Sequence, residues 1–254
     1  MTETTLGFAS LAAALRERTD ALGRAAAGGD PEARVPTCPD WPLRVLVGHM
    51  GQSVRWAAEL VRKRDVMPPP DPWQAEPGPP RGWAAWLRAG AEELVAEVAE
   101  AGPDTEMRTF FGPRPTVALL RRMLNETCVH HYDAAATTGA AFAIPDDRAA
   151  DVIDELLEAL TDPGMAAFKP DLAELRGRGE RIAVRPDGLD GWLVTRTPDG
   201  MRFRRGAGEA DAVLAGTAAD LMLVCARRLP LDEGRVRVSG DRPLIEHWVG
   251  RLAL

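Results

Sequence analysis

The chain has 254 residues, of which 45% are apolar and 27% are charged, and its formal net charge is −7. This composition is typical of a folded protein with a substantial core, and it excludes an intrinsically disordered chain. The negative charge is not offset by any dense cluster of lysine or arginine, which argues against nucleic acid or an anionic membrane as a partner. We therefore expect neither of these as a partner.

The sequence also bears on where the protein works. No apolar run approaches the roughly 20 residues of a membrane span, and the first residues lack the basic region of a signal peptide. The three cysteines, Cys38, Cys128 and Cys225, are few and widely spaced. This usage is typical of a reducing compartment and argues against a disulfide framework. The expected location is cytoplasmic.

Apolar residues at a helical period dominate the first part of the chain and predict four to five helices, of which the last is shorter. These helices cover about residues 6–27, 40–64, 82–101, 115–138 and 146–160. A proline-dense loop, about 67–81, separates the second helix from the third. Helices joined by short or proline-rich links predict an antiparallel bundle, which we assign to an N-terminal domain of residues 1–162.

The pattern changes after residue 162. Residues 163–179 are rich in glycine and proline and are predicted to be a linker. Short β-like segments follow at about 181–185, 191–197, 201–205, 212–214 and 235–238, and two helices are predicted at about 217–228 and 242–252. The mixture predicts a small α+β domain over residues 180–254. The expected fold class is thus a helical bundle followed by an α+β domain.

One face of the fourth predicted helix combines apolar and ionisable residues. Steps of four, three, four and three residues connect Leu119, Met123, Glu126, His130 and Asp133. Because the apolar half must face the core, Glu126 and His130 are predicted to point inward as well. A buried carboxylate needs a compensating partner, and an i,i+4 pair is spaced so that two ligands can meet one cation. Asp133, one turn later, is placed to accept a hydrogen bond from the other nitrogen of His130.

A third ligand must come from another helix. His49 lies beside Leu46 and Met50 at the edge of the buried stripe of the second predicted helix. An antiparallel bundle would bring it against Glu126 and His130. Two histidines and one carboxylate suit Zn²⁺ with an open fourth position, and Fe²⁺, Ni²⁺ and Mn²⁺ are also compatible. The alternative is that His49 is an ordinary core histidine and that the glutamate and histidine form a solvated helical pair.

Other conspicuous side chains have simpler interpretations. Trp41 and Trp56 flank the second helix and are candidates to line a cofactor cavity, although packing against the bundle is the alternative. Cys128 points away from the ionisable face and is expected to be a small packed residue. His131 lies about 100° around the helix from His130 and is expected to face another helix or water. His247 is expected at a surface or at a domain interface. The sequence contains no glycine-rich phosphate loop and no G-x-S-x-G nucleophile elbow.

Two segments carry a family resemblance. Residues 36–49 and 125–133 resemble the signatures P-x-C/T-P-x-W-x-x-x-x-L-x-x-H and H-E-T-x-x-H-x-x-D of the mycothiol-dependent maleylpyruvate isomerase family. Residues 229–231 and 238–241 also resemble its C-terminal domain. The resemblance implies a DinB-like four-helix N-terminal domain and a C-terminal domain similar to sterol carrier protein 2. One position departs from the pattern, because Asn125 replaces the leading histidine of the second signature.

The resemblance also implies roles for individual residues. The family binds zinc through the positions of His49, Glu126 and His130. These are the residues that the helix faces also predict as ligands. The family uses mycothiol as a thiol cofactor, and its substrate is a dicarboxylate. The resemblance therefore implies a small-molecule substrate as the partner. An arginine of its C-terminal domain takes part in catalysis, for which Arg228 is the best candidate here and Arg227 the second. At a helix end, however, arginine often serves only as a solvated terminal charge.

The implied chemistry begins with the thiol at the open metal position. Coordination lowers the pKa of the thiol, so that a thiolate exists at neutral pH. Addition of this thiolate to an electrophilic carbon permits rotation about a former double bond, as in an isomerase, or leaves the thiol attached, as in an S-transferase. Two alternatives stay open: a hydrolase of the same fold that activates water, and a metal-stabilised module that binds or regulates without catalysis.

Overall fold

The computed structural model describes residues 7–109 and 112–252. The chain divides into two compact units, Met1–Phe142 and Ala143–Leu254. Among the described residues, no helix combines the length and the apolar character that crossing a membrane requires.

The first unit consists of four long helices and two small hairpins. The helices are α1 (Phe8–Ala26), α2 (Leu43–Lys63), α3 (Trp83–Ala101) and α4 (Val117–Thr138). The strands are β1 (Arg34–Val35), β2 (Cys38–Pro42), β3 (Glu106–Thr109) and β4 (Gly112–Pro115), with β1 paired to β2 and β3 paired to β4. The predicted first residue of α1, Leu6, lies outside the described part of the chain.

Each helix contributes an apolar stripe to one core. Leu15, Leu46, Leu94 and Leu124, one from each helix, are completely buried. The α4 helix ends at Gly139, whose φ of 74° is the left-handed conformation that commonly terminates helices. The second helix was predicted to begin at about residue 40, but residues 38–42 form β2 because they pair with β1.

The helix directions follow from contacts between side chains. The α1 and α3 helices are antiparallel, because Arg16 pairs with Glu92 and Asp20, one turn later, pairs with Arg88, one turn earlier. The α2 and α4 helices are antiparallel too, since Cys38, just before α2, lies beside Asp133 near the end of α4. The four-helix bundle that the resemblance implied is confirmed.

The neighbours α2 and α3, in contrast, run in the same direction. Gly51 lies against Trp86, and further along both helices Arg62 donates a hydrogen bond to Glu97 at 2.7 Å. The α2 helix has 21 residues and is about 30 Å long. The connection from α2 to α3 must therefore run back along the length of the bundle. Residues 64–82 form this connection, which is rich in proline and contains two short 3-10 turns, Pro72–Gln74 and Pro80–Gly82.

The second unit is built on a five-stranded mixed sheet. Its strands are β5 (Arg181–Pro186), β6 (Trp192–Thr197), β7 (Gly200–Arg205), β8 (Ala212–Gly216) and β9 (Arg237–Gly240). The order is β7-β6-β5-β8-β9; β5 and β8 are parallel, and the other pairs are antiparallel. Its helices are α5 (Asp146–Thr161), α6 (Met165–Phe168), α7 (Ala218–Cys225) and α8 (Arg242–Val249).

The position of α5 differs from the sequence-based domain limits. We predicted this helix within the bundle domain of residues 1–162, but it packs on α7 and β7 in the second unit. Asp154 accepts a hydrogen bond from Trp192 Nε1 at 2.7 Å and pairs with Arg205, which ties α5 to the sheet. Residues 163–179, predicted as a linker, contain α6 and the 3-10 turn Pro170–Leu175.

Candidate metal centre

Three side chains from two helices of the first unit meet at one point. The α4 helix supplies Glu126 and His130, one turn apart, and α2 supplies His49. One donor atom of each residue lies within 4.8 Å of the donor atoms of the other two. His130 Nε2 is 3.4 Å from Glu126 Oε2, and the rings of His49 and His130 have centroids 5.1 Å apart. Across the described residues, no other group of three such side chains meets this criterion.

This spacing is close to what a metal requires. Two donor atoms at 2.0–2.1 Å from a tetrahedral Zn²⁺ lie about 3.3 Å from one another. The separation of His130 Nε2 and Glu126 Oε2 already has this value to within 0.1 Å or so, at 3.4 Å. The three donors lie within 4.8 Å of one another, so side-chain movements of up to about 1.5 Å would bring all three onto one ion.

Asp133 supports His130 from the side opposite the cluster. It is completely buried, and its Oδ2 accepts a hydrogen bond from His130 Nδ1 at 2.8 Å. Its Oδ1 accepts a hydrogen bond from the Thr37 hydroxyl at 2.6 Å, and Cys38 Sγ lies 3.9 Å from Oδ2. With Nδ1 engaged by Asp133, Nε2 is the nitrogen of His130 that faces Glu126.

The charges of the cluster reinforce one another. Burial alone would lower the pKa of His130, but hydrogen bonds to Asp133 and Glu126 raise it to about 9. Burial alone would raise the pKa of the Glu126 carboxyl, but Arg122 and His130 hold it well below its usual range. The cluster therefore keeps an ionised Glu126 beside a positively charged His130. A bound divalent cation would take the place of the extra proton on His130.

The remaining surroundings of the cluster come from α2 and β2. Ser53 Oγ lies 3.5 Å from His49 Nδ1. The Trp41 ring lies 5.0 Å from the His49 ring and 6.3 Å from the His130 ring, measured between centroids, so this tryptophan covers one side of the cluster. Trp56 is half-buried two turns beyond His49, on the same face of α2. Its part in cofactor binding stays a prediction.

Other residues considered from the sequence lie outside this group. Asn125 and Cys128 are buried. His131 packs against Phe142 with ring centroids 5.1 Å apart, and its burial, together with the charges of Arg18 and Arg24, lowers its pKa to about 4.

The two arginines singled out by the resemblance belong to the second unit. Arg228 follows the end of α7 and donates a hydrogen bond to the Ala226 carbonyl at 2.9 Å. Arg227 is exposed and adopts a left-handed backbone, with φ of 59°. Their catalytic role stays a prediction.

Two residues of the centre were not recognised from the sequence. Thr37 lies in the turn between β1 and β2, and its only signal was its place in the first motif. Arg122 lies one turn before Glu126 and forms an ion pair with it. The i,i+4 spacing of this pair was visible in the sequence.

The fold and the cluster define a class: a helical-bundle unit with two histidines and one glutamate, followed by a mixed-sheet unit. Residues 12–135 match the family model of the mycothiol maleylpyruvate isomerase N-terminal domain, and residues 147–247 match that of the MDMPI C-terminal domain, its C-terminal counterpart. The chain belongs to the mycothiol-dependent maleylpyruvate isomerase family.

Solved structures agree with this assignment at the level of fold. A crystal structure of the mycothiol-dependent maleylpyruvate isomerase superposes with a TM-score of 0.62 at 15% identity, covering 94% of this chain and 95% of that chain. A histidine-to-alanine variant of that isomerase gives a TM-score of 0.63 with the same identity and coverage. No curated protein matches the chain in sequence.

Proposed function

We propose that the chain is a metal-dependent enzyme that uses a low-molecular-weight thiol, such as mycothiol, to isomerise or conjugate a small electrophilic substrate. Zinc is the proposed metal, and His49, Glu126 and His130 are its proposed ligands. The observation that carries the proposal is the meeting of their donor atoms within 4.8 Å. Membership of the isomerase family supports the thiol and the reaction class.

The donor set fits the proposed ion. Imidazole nitrogens and a carboxylate oxygen are ligands that zinc accepts, and three protein ligands leave a fourth position for a cofactor or substrate. The Asp133 carboxylate holds His130 with Nε2 toward the cluster, as acceptors behind ligand histidines commonly do. When bound, the metal would lower the pKa of a thiol in the fourth position.

A bound thiolate would supply addition chemistry. Its sulfur would add to one carbon of an activated double bond, whose electrons would move onto the activating group, and rotation followed by loss of the thiolate would give the isomer. Uptake of a proton by the anionic adduct in place of this elimination would give a thioether. In this scheme the protein orients the thiol, and Trp41 limits access of water to one side of the cluster.

Metal analysis of protein purified without chelators tests the metal. We expect close to one equivalent of divalent metal per chain, and we expect His49→Ala to lose most of it. His247→Ala is the control, because this half-exposed histidine belongs to α8 of the other unit. Wild-type protein that neither contains zinc, iron, nickel or manganese nor takes one up on dialysis would refute the proposal.

Titration of cobalt-substituted protein with mycothiol tests the thiol. We expect a change in the visible spectrum and a binding isotherm by calorimetry. Metal-loaded protein that shows neither would exclude the thiol, and release of product from ester or amide substrates would then favour the hydrolase alternative.

The resemblance also leads us to propose Arg228 as the residue that binds a carboxylate of the substrate. With maleylpyruvate and mycothiol, Arg228→Met should lower kcat/KM by about 10- to 150-fold, the value of one hydrogen bond to a charged group. Arg227→Met is the matched neighbour and should leave kcat/KM unchanged. The opposite ranking of the two variants would transfer the role to Arg227.

A further inference from the structure

The two oxygens of Glu126 have different partners. Oε1 pairs with Nη2 of Arg122, one turn earlier on α4, while Oε2 faces His130 Nε2 at 3.4 Å. The two side chains are only partly accessible, with 37% of Arg122 and 23% of Glu126 exposed. The guanidinium therefore engages one oxygen of the carboxylate and leaves the other facing His130.

A glutamate side chain has several rotamers, and without restraint its carboxylate can turn away from a metal or present both oxygens to it. We infer that Arg122 is a positioning residue of the metal centre, which holds Glu126 in the conformation that offers Oε2 alone as a ligand. This inference rests on the proposed metal function. It predicts that the hydrogen bond from Arg122, and not only its charge, sets the affinity for metal.

The structure contains a matched pair for comparison. Arg242 and Glu246 on α8 have the same residue types, the same i,i+4 spacing and an N–O distance of 2.7 Å. Their side chains are 44% and 51% exposed, and the metal cluster lies in the other unit. Exposed helical ion pairs of this kind contribute little to stability. Arg242 also pairs with Asp232. Arg242→Met is therefore a control for loss of ordinary surface ion pairs.

The experiment compares Arg122→Met, Arg122→Gln and Arg242→Met with the wild type. Zinc affinity is measured by competition with a chromogenic chelator, and the visible spectrum of the cobalt-substituted protein reports the ligand arrangement. Arg122→Met should lose about 10- to 100-fold in zinc affinity, the usual effect of removing a group that orients a ligand, and its cobalt bands should shift. Arg122→Gln keeps an N–H donor and should recover most of the affinity and the wild-type spectrum.

The outcomes separate this inference from the proposed function. Zinc affinity and cobalt bands that are unchanged in Arg122→Met would overturn the role of Arg122, as would tighter binding. Equal losses in Arg122→Gln and Arg122→Met would overturn it too, because charge alone would then explain the effect. If the wild type itself binds no metal, the proposed function fails instead. Thermal melts of the metal-free variants identify any that do not fold. If Arg122→Met does not fold, Arg122→Gln is compared with the wild type, and a large loss of zinc affinity in Arg122→Gln would overturn the inference.

Discussion

Replacement of Asp133 by asparagine tests how the centre is built. Asparagine has nearly the same shape, so packing at this completely buried position is retained. The Thr37 hydroxyl, 2.6 Å from Oδ1, should donate to the amide oxygen, which turns the amide N–H₂ toward His130 Nδ1. Nδ1 must then accept a hydrogen bond, and the proton of neutral His130 moves to Nε2. That is the nitrogen through which His130 would bind the metal.

The magnitude follows from the interaction that is lost. A hydrogen bond to a charged group contributes about 1.5–3 kcal/mol, which corresponds to roughly 10- to 150-fold in affinity. Removal of groups that orient ligand histidines gives a similar loss, about 10- to 100-fold. We therefore expect Asp133→Asn to weaken zinc binding by one to two orders of magnitude while the protein stays folded.

A competition titration of zinc against a chromogenic chelator near neutral pH measures this loss, and circular dichroism checks the fold. Asp154→Asn is the control, because Asp154 is another aspartate that accepts side-chain hydrogen bonds, from Trp192 and Arg205, but it belongs to the second unit. Wild-type zinc affinity in Asp133→Asn, beside a clear loss in a ligand variant, would refute the argument about the tautomer of His130.

Three further predictions concern packing, cysteine chemistry and metal removal. Gly51→Ala should lower the free energy of unfolding, measured in urea, by about 1–3 kcal/mol, because the new Cβ would lie 1.9 Å from the Trp86 ring. Gly28→Ala is the control and should not lower the free energy of unfolding, because no atom lies within 4 Å of its new Cβ. Burial raises the pKa of Cys225 to about 12, so iodoacetamide at mildly alkaline pH should modify the half-buried Cys38 and spare Cys225 until the protein is unfolded. Zinc at a hundredfold excess over its Kd should stabilise the folded protein by about 2.7 kcal/mol, seen as a rise in Tm that a chelator reverses.

The order of the helices shows where local sequence information ends. The helices were predicted from apolar periodicity, which depends on residues three and four positions apart. The partner of a helix depends on contacts far along the chain, and α5 illustrates this. Its apolar stripe resembles those of the bundle helices, but it packs on α7 and β7, and the ion pair of Asp154 with Arg205 spans 51 positions. The periodicity of one helix does not show which other helix or strand its apolar stripe will pack against.

For the centre itself, the sequence alone determined which residues share a helix face. Glu126, His130 and Asp133 are one turn apart, so their alignment is a property of helical geometry and needs no tertiary contact. Only the tertiary structure decided that α2 lies beside α4 with His49 at the same level, and that Thr37 reaches Asp133 across 96 positions. The physical reason is that side-chain direction within a helix follows from local geometry, whereas the meeting of separate segments follows from the burial of apolar surface by the whole bundle.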